Sequence, residues 1–262
     1  MKLHIILRTC QRNDSDKKTN LKRICGDDRE TMVLKCVMSL VNTINACVVS
    51  NNIKFTILDD HSDDSFLVKL NKILNTCNKE IDLINFTLTG FQETAAEQFR
   101  LASKSDADMV YTIEDDYLHE EHALDYMLFA HNHLTQKYRR EIVLFPYDCI
   151  FRYVPNREYS TVLLYDGTRY WRQIKHTANT IFARKEFFSE NIDMFLEYSY
   201  KYPNCTEDDY INKLYEDHST GLGYAKAFSP IPSVAYHLSW NEPATIRTDH
   251  LSWRDLWDKI KL

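Results

Sequence analysis

The feature that most constrains this chain is a recurrence of short apolar segments, each stopped by a polar or acidic cluster and most separated by helical patterns. Lys2 to Thr9 reads as a strand ending in Arg8-Thr9. Phe55 to Leu58 is a strand that runs into Asp59-Asp60-His61-Ser62, and Met109 to Ile113 runs into Glu114-Asp115-Asp116. Between them, Glu30 to Val49 carries Met32, Leu34, Val37, Met38, Leu40, Val41 and Ile44 on one helical face. Phe66 to Leu74 and Glu93 to Ser103 read as further helices, with a strand at Ile81 to Leu88. Strands separated by helices form a sheet covered on both faces. The pattern therefore predicts an α/β fold with a central, mostly parallel mixed sheet flanked by helices.

Beyond Ile113 the spacing predicts a helix over Glu120 to Gln136 and a strand over Ile142 to Phe145. After Pro146 the pattern changes, and Tyr, Trp and Arg become dense between Phe151 and Trp171. Ser160 to Tyr165 and Thr177 to Ala183 read as strands. Lys185 to Tyr198 reads as a helix, a second helix begins near Thr206, and Ile231 to His237 is a last strand before a tail with Trp240, Trp253 and Trp257. No Gly/Ser linker or repeat divides the 262 residues. They are expected to form one domain, with residues 1–145 as one half and 146–262 as the other.

Several function classes are disfavoured. A net charge of −6 argues against a protein that lives by neutralising nucleic-acid phosphates, although Lys137 to Arg140 and Arg169 to His176 could line a local groove. No apolar run approaches the ~20 residues of a membrane span. Met1-Lys2 leads straight into a strand without a secretory apolar region, so the expected compartment is the cytosol. Seven cysteines without a Cys-x-x-Cys pair suit reduced thiols, with Cys36 and Cys47 buried on a helix. His119-Glu120-Glu121-His122 lacks the spacing of a zinc protease. Five glycines cannot be arranged into a phosphate-binding loop, so a nucleotide here would be held by side chains and a metal.

In a parallel sheet, ligands bind beyond the carboxyl ends of the strands, where these polar clusters fall. Helix capping is the plain explanation for single acids such as Asp63 and Asp64. Three consecutive carboxylates at a buried strand end are harder to explain that way. They repel one another unless a cation compensates, and hard oxygen ligands suit Mg²⁺ or Mn²⁺.

Together, Ile5-Ile6-Leu7-Arg8-Thr9, Ile57-Leu58-Asp59-Asp60-His61-Ser62-Asp63-Asp64 and Tyr111-Thr112-Ile113-Glu114-Asp115-Asp116 resemble the GT-A nucleotide-diphospho-sugar glycosyltransferases, particularly the family 2-like group. The resemblance covers residues 2 to 240. It implies the GT-A fold and an inverting, metal-dependent transfer of a sugar from a UDP-linked donor. By it, Thr9 and Asp60 contact the base, with Arg8 on the donor side. Asp115 binds the ribose or the metal, and Asp116 the metal together with Glu114. The Ala-Arg-Asn helix usual in that group is not matched around Gln98-Phe99-Arg100.

Thr206-Glu207-Asp208-Asp209-Tyr210 resembles the helix start that carries the family's catalytic base. Asp208 is the expected base and Glu207 its partner, with Asp209 on the acceptor; a capping Thr with first-turn acids is the plainer account. His237 ends the last strand, as a metal or diphosphate ligand or as a buried structural histidine. Trp171 and Arg172, with Tyr170, Lys175 and His176 nearby, could stack on an acceptor sugar ring and hold phosphate, or form a hydrophobic staple with solvated charges. A glycan or lipid-linked saccharide is the expected acceptor, and a modified base in nucleic acid the minor alternative. A nucleotidyltransferase of related fold and a degenerate sugar-binding protein are the competing readings.

Overall fold

The computed structural model describes residues 1–11, 28–86, 90–148, 162–206, 209–216, 226–238 and 253–262. β1 (Lys2–Thr9), β2 (Asn52–Asp60), β3 (Glu80–Phe86) and β4 (Met109–Ile113) lie parallel, with β1 between β2 and β4. Leu3, Ile5, Ile6 and Leu7 are all buried. β1 is therefore a continuous apolar run, as a central strand covered on both faces requires. The strands are separated by α1 (Arg29–Ala46), α2 (Asp64–Leu74) and α3 (Phe91–Ser103). Asp28 caps α1 by accepting from Thr31 N at 2.7 Å. Gln98, buried on α3, donates to the carbonyls of Ile6 (2.8 Å) and Ile113 (2.9 Å), pinning β1 to β4 just before their carboxyl ends.

The sheet continues through β9 (Ile181–Arg184), β6 (Val143–Leu144), β10 (Ala227–Ile231), β8 (Tyr170–Gln173) and β7 (Leu163–Tyr165), giving the order β3-β2-β1-β4-β9-β6-β10-β8-β7. β9 runs antiparallel to β4 and β6, so the sheet is mixed and spans both halves of the chain. A two-stranded sheet of β5 (Tyr117–His119) and β11 (Ala235–His237) stands beside the end of β4. α4 (Ala123–Tyr138), α5 (Lys185–Glu190), α6 (Ile192–Lys201), a 3-10 turn at Ile211–Tyr215 and α7 (Trp253–Lys259) complete the described elements. Among the described residues no helix is long and apolar enough to cross a membrane. Cys47 and Cys77 are free thiols.

Several expected elements are corrected. The helix expected from Glu120 starts at Ala123, because Tyr117–His119 pairs with β11 and His119 N donates to Ser39 Oγ at 2.9 Å. The helix over Lys185 to Tyr198 is two helices broken at Asn191, whose side-chain amide donates to Phe187 O at 2.7 Å in competition with the helical ladder. The strand over Ile231 to His237 is the end of β10 and all of β11. Pro232, which has no N–H to donate, lies between them. The helix expected near Thr206 is represented, among the described residues, by the short 3-10 turn. Thr177 to Thr180 is a turn with Ala178 in the left-handed region (φ 48°) rather than the start of β9.

His131 is buried on α4 with Nε2 lacking a hydrogen-bond partner. Burial holds its pKa down, from 6.5 to about 4. The folded value lies below the unfolded one, so the stability tied to the neutral ring is complete above pH 6.5 and is lost as pH falls towards 4. The stability of His131→Leu relative to the wild type should therefore rise by about 1.4 kcal/mol per pH unit of acidification across that window. Urea unfolding of both proteins at about pH 7 and about pH 5 checks this. A pH-independent difference would mean that the ring is protonated in the fold.

Candidate functional site

The carboxyl ends of β1, β2 and β4 meet at one rim, and the acids there divide into two groups. At the end of β2, Asp59 accepts from Thr9 Oγ1 (2.9 Å), Ser62 N (3.0 Å) and Ser62 Oγ (2.7 Å). Thr9 is fully buried and its hydroxyl is directed to Asp59, so its side chain serves the turn. Asp60 sits beside the start of α3: its Oδ1 accepts from Gly90 N at 3.3 Å and lies 3.2 Å from His61 Nδ1. Gly90 adopts φ 116°, open to glycine at little cost, and no side chain caps the helix it introduces. Asp63 occupies the N-cap position of α2 without a side-chain capping bond and Asp64 opens its first turn, where both charges favour the helix dipole.

At the end of β4 each of three consecutive acids has its own basic neighbour. Glu114 Oε1 is 3.2 Å from Arg8 Nη2 and accepts from Asn179 Nδ2 at 3.2 Å. Asp115 receives Arg29 Nη2 on both oxygens at 2.8 Å and Cys10 N on Oδ2 at 2.8 Å, while Arg29 Nε donates to Cys10 O at 2.7 Å. Asp116 Oδ2 lies 3.2 Å from His237 Nε2. The β5–β11 pairing sets this last contact: His237 is opposite Tyr117, its ring stacks on Tyr117 at 4.8 Å, and Leu238 N donates to Asp116 O at 2.8 Å. Burial raises the pKa of Glu114 and Asp115. Arg8 and Arg29 respectively oppose the shift, and the negative charge of Asp116 adds to it.

Part of the compensating cation expected from sequence is thus supplied by the chain itself, by Arg8 and Arg29. Arg29 and Asn179 were not anticipated. Arg29 opens α1 directly after its capping Asp28, which looks like ordinary helix-start chemistry. Asn179 lies in a turn where the sequence suggested a strand. Among the described residues no group of three or more His, Cys, Asp and Glu side chains is arranged to hold a metal ion. The Asp116–His237 pair nevertheless offers one oxygen and one nitrogen ligand. It fits a divalent cation that completes its shell from water and substrate phosphate, as Mg²⁺ does at phosphate-transfer sites.

Trp171 is wholly buried in β8 and donates its indole N–H to Asp166 Oδ2 at 2.7 Å, so it has no ring face for an acceptor sugar. Arg172, half-buried on the same strand, has Nε 4.0 Å from Asp148 Oδ1. Asp209 accepts from Thr206 N (2.9 Å) and Thr206 Oγ1 (3.0 Å), closing a local turn. Asp208 and Glu207 lie outside the described residues. Arg100 engages Glu97 and the Tyr200 hydroxyl on the outer side of α3.

No family model matches the chain, and no curated protein matches it by sequence. Solved structures do. S. aureus TarS 1-349 in complex with UDP-GlcNAc is 15% identical with a TM-score of 0.51, covering 98% of this chain and 64% of that one. The structure of TarS 1-349 alone matches over 76% of this chain and 55% of its own, at 15% identity and a TM-score of 0.44. The galactosyltransferase LgtC, in complex with donor and acceptor sugar analogs, is 11% identical over 99% of this chain and 96% of its own, with a TM-score of 0.46. The chain thus spans 55% to 64% of the TarS fragments it matches. At these identities the likeness is one of architecture, and it rests on the TarS complex with UDP-GlcNAc. This chain has the GT-A fold of the nucleotide-sugar transferases.

Proposed function

We propose that the chain is a glycosyltransferase that moves a sugar from a nucleotide diphosphate to an acceptor hydroxyl with inversion. The observation that supports this best is the Asp116–His237 pair beside the guanidinium-paired Glu114 and Asp115, at the carboxyl edge of a GT-A sheet. UDP is the proposed nucleotide, by analogy with the UDP-GlcNAc held by TarS. Residues 1–145 would bind the donor and residues 146–262 the acceptor, within one domain. Seven cysteines without a Cys-x-x-Cys pair suit a reducing compartment, and we place the reaction in the cytosol.

Asp60 accepts the uracil N–H, and the backbone at Thr9 lines the other side of the base. Arg8 and Asp115 flank the ribose and diphosphate. Asp116 and His237 would hold Mn²⁺ or Mg²⁺, with Glu114 as the neighbouring carboxylate, and a bound cation would offset charge developing on the leaving diphosphate. The acceptor is a carbohydrate or lipid-linked saccharide, with Arg172 on its side of the sheet. Inversion needs a carboxylate to take the acceptor hydroxyl proton as the glycosidic bond breaks. The sequence pattern at Glu207-Asp208 assigns this to Asp208, with Glu207 orienting it.

Thermal unfolding in UDP- and GDP-linked sugars, with and without Mn²⁺, tests the reading. At roughly 100-fold saturation a true donor should add about 2.7 kcal/mol of stability. No stabilisation by any nucleotide sugar would remove the proposal.

Asp60 provides a narrower test. Loss of a hydrogen bond to a charged group should weaken UDP binding in Asp60→Ala by about ten- to a hundredfold, read by calorimetric titration, with the melting temperature little changed. Unchanged UDP affinity with a loss of about 1 kcal/mol in stability would make Asp60 a turn residue alone.

A further inference from the structure

We propose that Asn179 selects the transferred sugar by accepting a hydrogen bond from one of its hydroxyl groups, an inference that rests on the nucleotide-sugar reading above. Asn179 is buried, with 2% of its surface exposed. Its amide nitrogen donates to Glu114 Oε1 at 3.2 Å, and its backbone carbonyl accepts from Thr112 Oγ1 at 2.7 Å. Oδ1 is buried without a hydrogen-bond partner. The carboxylate of Glu114 can only accept, so it fixes which end of the amide faces it and leaves Oδ1 as the open end.

A second buried atom without a partner hangs on the same carboxylate oxygen. Arg8 Nη2 is 3.2 Å from Glu114 Oε1, its guanidinium carbon stacks 4.3 Å from the Phe91 ring centroid, and Nη1 has no hydrogen-bond acceptor. Unmet buried polar atoms are costly and rare, and each calls for a reason. Here one is a donor and the other an acceptor, both anchored to one oxygen at the rim. A phosphate or carboxylate could satisfy Arg8 but has no proton for Asn179. An ammonium could satisfy Asn179 but cannot accept from Arg8. Water and hydroxyl groups do both, and a sugar ring carries several hydroxyls side by side.

The backbone fixes the amide in place. Ala178 is held in the left-handed region at φ 48°, which is strained for alanine, and Thr180 Oγ1 accepts from Glu114 N at 3.3 Å. The turn that carries Asn179 is thereby tied to the strand end that carries the three acids.

The test uses calorimetric titration of UDP, UDP-glucose and UDP-N-acetylglucosamine in Mn²⁺. The tighter-binding sugar nucleotide is then compared with its deoxyfluoro analogues, in which fluorine cannot donate a hydrogen bond. In the wild type, one fluorinated position should weaken binding by ~10-fold or more. In Asn179→Ala, and in Asn179→Ser should the first variant fold poorly, the penalty at that position should shrink to about twofold or less while UDP affinity stays as in the wild type. Equal binding of all fluorinated analogues by the wild type overturns the inference, as does persistence of the penalty in both variants. Failure of the wild type to bind UDP or either sugar nucleotide is a different result: it removes the nucleotide-sugar reading, and the inference falls with it.

Discussion

Asp116→Ala should abolish sugar transfer, with a loss of at least ~10³-fold in kcat and in donor affinity measured with Mn²⁺ present. Of the three consecutive acids at the end of β4, Asp116 is the one paired with an imidazole nitrogen, and the five glycines of the sequence form no phosphate-binding loop. Chelation of the wild type should produce the same loss, and chelator should have little further effect on the variant. Circular dichroism should report an intact fold, because the strand ladder through β1, β2 and β4 does not depend on this side chain. Turnover that survives in chelator would move the leaving-group stabilisation onto Arg8 and Arg29.

Asp208→Asn should retain donor affinity and lose about 10²- to 10⁴-fold in rate, because asparagine keeps the size of the side chain but cannot take the acceptor proton. The product of the wild type should carry the anomeric configuration opposite to that of the donor. A retained configuration, or a nearly wild-type rate for Asp208→Asn beside an inactive Glu207→Gln, would place the base elsewhere. Nearby Asp209 is not expected to substitute for it: the Thr206 backbone and hydroxyl hold its pKa down and keep it in the turn.

The first half of the chain was legible in the sequence because its rules are local. β1 and β4 end where their apolar runs meet polar residues, at Thr9 and Ile113, and the helices between strands follow an apolar periodicity that tertiary packing preserves. The second half was less legible because its boundaries depend on non-local partners. Tyr117–His119 is a strand only because β11 lies against it, and the seven residues Ile231 to His237 divide between two sheets. Trp171 was misjudged because an aromatic residue among basic ones can signal either a platform or a core. Its indole bond to buried Asp166 decides for the core.

The acidic rim was visible in Asp60 and in Glu114-Asp115-Asp116, since consecutive carboxylates at a strand end are conspicuous. Two of their partners were not. Arg29 is separated from Asp115 by 86 positions and Asn179 from Glu114 by 65, and each looks like an ordinary helix or turn residue in its own neighbourhood. Arg29 changes the account of Asp115 most. With both its oxygens taken by Arg29 and one also by Cys10 N, this carboxylate fixes the exit of β1 and the start of α1. That role was not contained in the motif itself.

The central claim, that the rim formed by β1, β2 and β4 receives a nucleotide diphosphate, is tested most directly by a crystal structure of the chain with UDP and Mn²⁺, with diffraction recorded for the anomalous signal of manganese. The account predicts an anomalous peak within ligand distance of Asp116 and His237, the diphosphate beside it, and the uracil against Asp60. Nucleotide bound away from this rim, or manganese bound without Asp116, would contradict it.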